Sequence, residues 1–185
     1  MDNQFIIRRA DISDVDALSQ LSQMTFRETF VEDFSIPYPE KDLQSFFHLL
    51  ASPEWFANIM VHPKRAAWMI EDKMNDDLIG YALVGPCNNI PYPDIYSDED
   101  GLLNRFFIRR DHRNHGFGRQ LINVVLLWLE EHYPTRAIWL SVFSKNFKGQ
   151  KFYTHYGFKK VGEYDYFIGE WKDHGFIMKR QTHTS

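Results

Sequence analysis

Hydrophobic positions repeat along the chain with two different periods, and the period changes from one segment to the next. Segments in which every second residue is apolar predict β-strands, whereas apolar residues spaced three and four apart predict amphipathic helices. The predicted order is a strand, three helices and two strands, followed by strands and helices in alternation. The predicted strands span residues 4–9, 65–71, 78–84, 102–108, 136–143, 164–168 and 176–178, and the predicted helices begin near residues 15 and 53 and span 41–50, 118–132 and 146–156.

Local signals mark several of these boundaries. Ser13 is the predicted N-cap of the first helix, and Ser52-Pro53 is typical of the start of another, because proline suits the first turn. Residues 75–77 read Asn-Asp-Asp and predict an antiparallel hairpin between the second and third strands. Gly157 predicts the end of the last helix.

Length and composition favour one globular domain, residues 1–185. The 185 residues are 44% hydrophobic and 25% charged, so a disordered chain or a coiled coil is disfavoured. The single cysteine excludes an internal disulfide, and the first ten residues lack a signal-like apolar core, so we expect the cytosol. The net charge of −4 and the lack of an apolar run near 18 residues argue against a general nucleic-acid or membrane binder.

Positive charge is concentrated in residues 105–119, between a predicted strand and the most apolar predicted helix. This segment holds five arginines and two histidines against one acid, Asp111. Gly116 and Gly118 stand at the predicted helix start, where backbone N–H groups bind phosphate and glycine lets phosphate oxygens approach the main chain. We therefore expect a polyanion to bind here.

Two familiar nucleotide motifs do not fit this segment. A dinucleotide fingerprint needs a third glycine three residues after Gly118, where the chain has Leu121, and a Walker loop needs Gly-Lys-Ser/Thr, which is absent. A tight turn that merely precedes a helix is the alternative explanation of the two glycines.

A wider pattern is more specific than the glycines alone. The motif Arg-x-x-Gly-x-Gly at 113–118 is followed some thirty residues later by Asn146 and by Phe-Tyr-x-x-x-Gly-Phe at 152–158. With these motifs the sequence resembles the GCN5-related N-acetyltransferase superfamily, over essentially all of Phe5 to Lys179.

The resemblance implies an α/β fold: a mixed central sheet of about six to seven strands, with a splayed parallel pair, flanked by helices. Residues 103–108 resemble the strand that splays from its neighbour, which corresponds to residues 138–142. Segments 25–30 and 167–179 are similar to the branch that contains polyamine-type acetyltransferases.

Acetyl-CoA is the co-substrate that the resemblance implies, with its pantetheine arm entering between the splayed strands. Backbone groups left unpaired where two strands part can bond such an amide-rich arm. Asn146 would bond the arm from the other side or cap its own helix, and both roles can hold at once. The residues implied to bind the co-substrate are Phe107, Ile108, Arg113, Asn114, His115, Gly116, Phe117, Gly118, Arg119 and Asn146.

Tyr153 is the implied catalytic residue, as the acid that protonates the departing thiolate. A thiol has a pKa of about 8.5 and a phenol about 10, so a phenol placed near the sulfur can deliver this proton. Packing in an aromatic core is the alternative role for Tyr153. No base is assigned, because Leu102 stands where many relatives supply an acid. The other acids considered, each more typical of a solvated surface, are Glu28, Asp98, Glu99 and Asp100.

Three further groups of residues are predicted to have structural rather than catalytic roles. Cys87 lacks a neighbouring Cys-His signature and is not predicted to be a nucleophile. His112 and His115 lack further ligand spacing, so no metal is expected. The pairs Phe46-Phe47 and Trp55-Phe56 are predicted to pack in the core, and Tyr92 to pack or to line an acceptor pocket.

The resulting hypothesis is an acetyl-CoA-dependent N-acetyltransferase that acts on a small-molecule amine or polyamine by direct attack in a ternary complex. An acidic loop at residues 86–101 would suit a cationic acceptor. Protein or peptide N-acetylation and a non-catalytic acyl-CoA sensor stay open as alternatives. A homodimer is expected by analogy with the superfamily alone.

Overall fold

Seven strands and five α-helices form the part of the chain that this computed structural model describes, residues 3–182. The ends of the predicted domain, residues 1–2 and 183–185, lie outside it. The strands are β1 (Phe5–Arg9), β2 (Ala66–Asp72), β3 (Asp77–Pro86), β4 (Gly101–Ile108), β5 (Ala137–Phe143), β6 (Lys159–Ile168) and β7 (Trp171–Gln181). The helices are α1 (Val15–Phe26), α2 (Glu40–Leu50), α3 (Pro53–Val61), α4 (Phe117–His132) and α5 (Phe147–His155).

One mixed sheet contains all seven strands, in the order β1-β2-β3-β4-β5-β7-β6. Every neighbouring pair is antiparallel except β4 and β5, which run parallel. Helices α4 and α5 cover one face, where Leu121, Ile122 and Val125 are fully buried against the sheet. Helices α1 and α3 cover the other face. The predicted mixed α/β fold flanked by helices is confirmed.

The parallel pair is joined at one end only. Gly101 pairs with Ile138 and Leu102 with Trp139, and beyond these residues the two strands separate. The predicted splayed pair is therefore present, and it opens towards the end of β4 that precedes the arginine-rich loop.

Two sequence predictions need correction. Ser13 is not the cap of α1: a short 3₁₀ turn precedes that helix, and Asp11 caps the turn by accepting from the Ser13 amide. Strands β6 and β7 are longer than predicted, because they pair along a hairpin whose outer positions are polar and mask the alternation. In contrast, Ser52 caps α3 as predicted, and β2 and β3 form the expected hairpin.

A π-helical turn, Arg27–Asp33, extends α1 past the point where the sequence pattern fades. The sequence predicts a break in the helix over residues 33–39, and in the structure the helical winding ends at Asp33. This turn brings side chains of the α1 end over the open side of the sheet.

Candidate functional site

A cleft of about 870 Å³ occupies the opening between β4 and β5. One wall is β4, a second is β5 with the start of α5, and the π-helical turn forms part of the third. The cleft therefore exists because two strands that are joined at Gly101 and Leu102 part further along.

A β-bulge shapes the β4 side of this cleft. Leu103 pairs with Val84 and Arg105 with Leu83, so Asn104 is an extra residue in the ladder. An extra residue shifts the alternation of side chains and bends the strand away from regular pairing. Beyond the bulge Phe106 faces α4, and Phe107 faces α1 and α3.

The loop before α4 adopts left-handed backbone at two positions. Asn114 has φ +65° and Gly116 has φ +84°, and Gly116 is the N-cap of α4 without a side-chain cap. The first backbone N–H groups of a helix have no intrahelical partner, so this end of α4 can bind an anion. Phe117 directs its side chain into the core, where it packs edge-on to Phe5.

Six of the predicted site residues line the cleft and two more line an adjoining depression of about 240 Å³. His115, Gly116 and Arg119 line neither hollow. The exposed guanidinium of Arg119 makes no ion pair with any residue from 3 to 182. The cleft residues are Phe107, Ile108, Arg113, Asn114, Asn146 and Tyr153, and those of the depression are Phe117 and Gly118.

Arg113 is held within the protein by three partners. Its guanidinium forms an ion pair with Asp33 at 2.6 Å and donates to the Thr29 hydroxyl at 3.2 Å. Its Nε donates to the backbone carbonyl of Ile108 at 3.2 Å. Arg110 also pairs with Asp33, at 2.6 Å, so two arginines tie the π-helical turn to the loop after β4.

Sequence reasoning missed this ionic connection. Asp33 and Arg113 are 80 positions apart, and no local pattern pairs them. Burial raises the pKa of the Asp33 carboxyl, but hydrogen bonds from Arg113 and Arg110 outweigh this effect and hold the pKa below its usual range. Lys145 and Lys148 were also missed, although they flank Asn146, a residue that the sequence had singled out.

The cleft carries a strong excess of positive charge. Asp33 is the one acid among its lining residues within residues 3–182. Five basic residues line it as well, and they are Arg105, Arg110, Arg113, Lys145 and Lys148. Such a lining attracts an anion.

Tyr153 lies half-buried on α5 and lines the cleft. Its ring meets Phe106 and Phe158 edge-on, with centroids 6.4 and 6.0 Å apart, so it also packs against the core. The hydroxyl forms no hydrogen bond within residues 3–182. Burial raises the pKa of this phenol above its ordinary value of 10.0.

Asn146 caps α5. Its side-chain oxygen accepts from the Gly149 amide at 2.9 Å, which confirms the capping role. A Cβ on Gly149 would lie 2.5 Å from the Asn146 side-chain nitrogen, so glycine at this position permits the observed cap geometry. Asn146 also lines the cleft, so a co-substrate contact stays a prediction.

The acids considered from the sequence fall into different environments. Asp98 and Glu99 are exposed, and a Glu28 carboxylate oxygen accepts from the Arg110 amide at 3.2 Å. Asp100 was expected at the surface, and this expectation was wrong: it is fully buried and bonded to Arg136. Leu102 is buried too.

Cys87 and the two histidines show no catalytic arrangement. Burial raises the pKa of the Cys87 thiol to about 12, which makes it a poor nucleophile near neutral pH. His112 contacts Asp111 at 2.8 Å, and His115 is exposed. No cluster of three or more His, Cys, Asp or Glu residues with metal-binding geometry occurs between residues 3 and 182.

Over the same range no helix is both long and apolar enough to cross a bilayer.

The aromatic pairs pack as predicted. Phe47 and Phe56 are buried in two separate apolar clusters, and Tyr92 packs on Trp139 with centroids 5.2 Å apart. Arg105 lies over the Trp55 ring at 4.3 Å.

Comparison with known proteins gives one family. Residues 24–158 match the family model described as "Acetyltransferase (GNAT) family". A spermine/spermidine N(1)-acetyltransferase of Bacillus subtilis (strain 168) is 32% identical over 95 residues, which cover 49% of this chain and 58% of that protein. The matched segment thus spans little more than half the length of this curated relative.

Solved structures show the same fold. The PaiA N-acetyltransferase of Thermoplasma acidophilum in complex with coenzyme A superposes with a TM-score of 0.71 at 19% identity, covering 96% of this chain and 98% of that one. A spermidine/spermine N-acetyltransferase of Vibrio cholerae superposes with a TM-score of 0.64 at 22% identity, covering 96% and 92%.

Proposed function

This chain belongs to the acetyltransferase (GNAT) family, and we propose that it transfers an acetyl group from acetyl-CoA to the primary amine of a small molecule or polyamine. The observation that carries the proposal is the parted pair of strands β4 and β5, with the cleft between them. The same proposal takes residues 1–185 as one domain. The cytosolic location and the homodimer stay predictions.

The parted strands offer a fitting environment for a pantetheine arm. Beyond Leu102 and Trp139 the facing backbone groups of β4 and β5 no longer pair with each other. Amide groups of the arm can satisfy such groups, much as a peptide adds to the edge of a sheet. The backbone of Phe107 and Ile108 would supply these contacts. The Ile108 carbonyl, which now accepts a hydrogen bond from Arg113 Nε, would then accept from the arm as well as from Arg113 or in place of it.

The loop before α4 fits a diphosphate. A Cβ on Gly118 would meet its nearest atoms, in the Phe152 ring, at 3.8 Å, which is an ordinary contact, so packing within the protein does not require glycine there. A ligand that approaches the backbone closely would require it. Exposed Arg119 and the N–H groups of the helix start would hold the diphosphate, while Arg113 already has a carboxylate partner in Asp33.

Acetyl-CoA supplies the acetyl group as a thioester: the neutral amine forms the C–N bond, the C–S bond breaks to release a thiolate, and the proton that the nitrogen loses restores the phenol that protonates the thiolate. Tyr153 would give its proton to that thiolate. Because burial raises its pKa above the ordinary 10.0, the phenol is protonated at neutral pH, as an acid must be. Transfer to a thiolate whose thiol has a pKa of about 8.5 is uphill, so the hydroxyl has to lie within hydrogen-bond reach of the sulfur.

The names of two relatives make polyamines the first acceptors to assay. Calorimetry with acetyl-CoA tests the donor, and coenzyme A release tests spermidine, spermine, free amino acids and short peptides as acceptors. Tight binding with turnover of a small amine supports the proposal. Turnover of peptides alone favours protein acetylation, and binding without any turnover favours a sensor.

A matched pair of variants checks the phosphate contact. Arg119→Gln removes the exposed cation beside Gly116, while Lys73→Gln removes an exposed cation in the β2–β3 turn. We expect Arg119→Gln to weaken acetyl-CoA binding several-fold and to leave the binding of phosphate-free pantetheine unchanged. Equal effects of the two variants would contradict a specific phosphate site.

A further inference from the structure

A second cavity, of about 190 Å³, lies on the other side of the β4 bulge from the co-substrate cleft. It is bounded by the ends of β3 and β4, the loop after β3 and helix α3. Asn104, the bulge residue, lines both this cavity and the cleft. The two spaces are therefore neighbours at the residue where β4 leaves regular pairing.

The polar lining of the second cavity consists of amides and one guanidinium. Asn88, Asn89 and Asn104 contribute amide side chains, and Arg65 contributes the cation. No acidic side chain lines the cavity anywhere in the described range 3–182. The Arg65 guanidinium forms no ion pair with residues 3–182 either.

The aliphatic part of the Arg65 side chain packs against the backbone of Gly85. A Cβ on Gly85 would lie 2.8 Å from the Arg65 Cγ, so the side chain crosses β3 where glycine leaves room for it. Arg105 stands beside the cavity and, like Arg65, forms no ion pair within residues 3–182. It donates to the Leu50 carbonyl at 2.6 Å and to the Ser22 hydroxyl at 3.3 Å and lies over Trp55, and Leu50 and Trp55 line the cavity.

We propose that this cavity is the acceptor pocket and that it selects amines which carry a carboxylate. The inference rests on the proposed function, since it assumes that the thioester lies at the bulge. Arg65 would bind the carboxylate with paired N–H donors, and the asparagine amides would complete its hydrogen bonds. The amine of the acceptor would then point past Asn104 into the cleft.

Charge separates this acceptor class from polyamines. A polycation in the cavity would meet Arg65, with Arg105 beside it, and no lining carboxylate among residues 3–182. In the cleft it would meet Arg105, Lys145 and Lys148, while Arg110 and Arg113 are already paired with Glu32 and Asp33. Opposite charges on a ligand and its site favour binding, and like charges oppose it. The arginines therefore favour an acceptor with a carboxylate over a polyamine. The size of the cavity suits a single amino-acid side chain rather than a long polyamine.

Matched sets of acceptors test the proposal. Leucine, leucinamide and 3-methylbutylamine share a side chain but differ in the carboxylate, and sets built on alanine and methionine extend the comparison beside spermidine. An α-amino group next to an amide has a pKa near 8, so leucinamide has more neutral nucleophile at pH 7.5 than leucine. A preference of tenfold or more in kcat/KM for leucine over leucinamide must therefore come from recognition, and we expect it.

Variants of the pocket supply the second readout. Arg65→Gln, or Gly85→Ala, which displaces the Arg65 stem, should raise the KM for the carboxylate acceptor at least tenfold and leave acetyl-CoA affinity unchanged. Lys64→Gln removes the exposed neighbouring cation and should change neither value.

The outcomes distinguish this inference from the proposed function. If acetyl-CoA binds but spermidine or the decarboxylated amines are preferred, or if Arg65→Gln leaves the acceptor KM unchanged, the pocket is misassigned and the acetyltransferase proposal stands. If acetyl-CoA binds and no acceptor turns over, N-acetylleucine is titrated into the coenzyme A complex, and lack of binding overturns the pocket. If acetyl-CoA itself does not bind, the proposed function fails first.

Discussion

Asp100 and Arg136 form an ion pair, 3.3 Å long, at the closed end of the fork between β4 and β5. The Asp100 carboxylate also accepts from the backbone amides of Ala137 at 3.1 Å and Tyr96 at 2.7 Å. One buried side chain thus ties the start of β4 to the start of β5 and to the loop that precedes β4. Arg136 adds a contact over the Tyr96 ring, at 4.1 Å.

Replacing Asp100 with asparagine should destabilise the protein strongly. The change leaves the guanidinium of Arg136, which is 31% exposed, with the exposed Glu99 at 4.0 Å as its remaining acidic partner. Breaking a fully buried pair costs about 3 kcal/mol, and the partial exposure of Arg136 lowers the expected loss to about 2 kcal/mol. Urea unfolding measures this loss, with Asp98→Asn as the exposed control, expected to stay within about 0.5 kcal/mol of the parent protein. A loss of less than 1 kcal/mol for Asp100→Asn would show that the carboxylate does not hold the fork.

Tyr153→Phe should reduce kcat on the order of 100-fold, as expected when a general acid is removed. The KM for acetyl-CoA should change less than twofold, because the ring and its packing remain. Burial raises the phenol pKa above 10.0, so loss of its proton should not limit the rate anywhere below pH 10. Pre-steady-state and steady-state assays between pH 6 and 9 provide the measurement.

Tyr156→Phe is the control for that experiment. Tyr156 also lies at the end of α5 and packs on Phe152, but it does not line the cleft. Its variant should retain the activity of the parent protein. Full activity of Tyr153→Phe would remove the phenol from the mechanism and leave it a packing residue.

Gly118→Ala should weaken acetyl-CoA binding tenfold or more without destabilising the fold. The new methyl group meets the Phe152 ring at an ordinary 3.8 Å, and alanine favours helix by about 0.5 kcal/mol over glycine. The same methyl group would occupy the space through which a phosphate approaches the backbone. Calorimetry and urea unfolding together separate these two effects.

Gly116→Ala gives the opposite pattern of stability and is the comparison for Gly118→Ala. Gly116 has φ +84°, a conformation in which a side chain costs about 1 kcal/mol or more. Its variant should therefore be less stable than the parent protein. Unchanged acetyl-CoA affinity in Gly118→Ala would place the diphosphate elsewhere.

His174 should make the stability of the β6–β7 hairpin depend on pH. Its imidazole contacts Asp165 at 2.6 Å and Glu163 at 3.3 Å, and Asp165 is the main cause of a pKa raised above 6.5. When folding raises the pKa of a group, protonation of that group adds to the free energy of unfolding, and the whole contribution is present at a pH below the pKa of the unfolded state. That contribution is lost as the pH rises through the folded value.

The expected result for His174→Gln follows from this direction. The variant should unfold at lower urea than the parent protein at pH 5.5, and the difference should shrink towards zero at pH 8.5. His155→Gln serves as control, since His155 is exposed and has no acidic partner in the described part of the chain. A difference that grows with pH would contradict the ion-pair explanation.

The sequence by itself determined most of the helices and strands and the glycine-containing start of α4. Strand and helix periods are local properties, so the core helix at residues 118–132 and the strand before it could be predicted within one or two residues. Gly116 and Gly118 were also readable, because backbone freedom at a helix start belongs to the residue itself. The family resemblance then supplied the parted strands, which no periodicity can show.

Tertiary structure alone decided how distant residues meet. Asp33 pairs with Arg113, Asp100 is buried against Arg136, and Arg65 and Asn104 line a common cavity. In each case the partners lie 36 or more positions apart. Such contacts depend on how the helices and strands pack and on how the β4 bulge orients the side chains that follow it. Packing brings together segments that are distant in sequence, and the local sequence of one segment does not indicate which other segment it will contact.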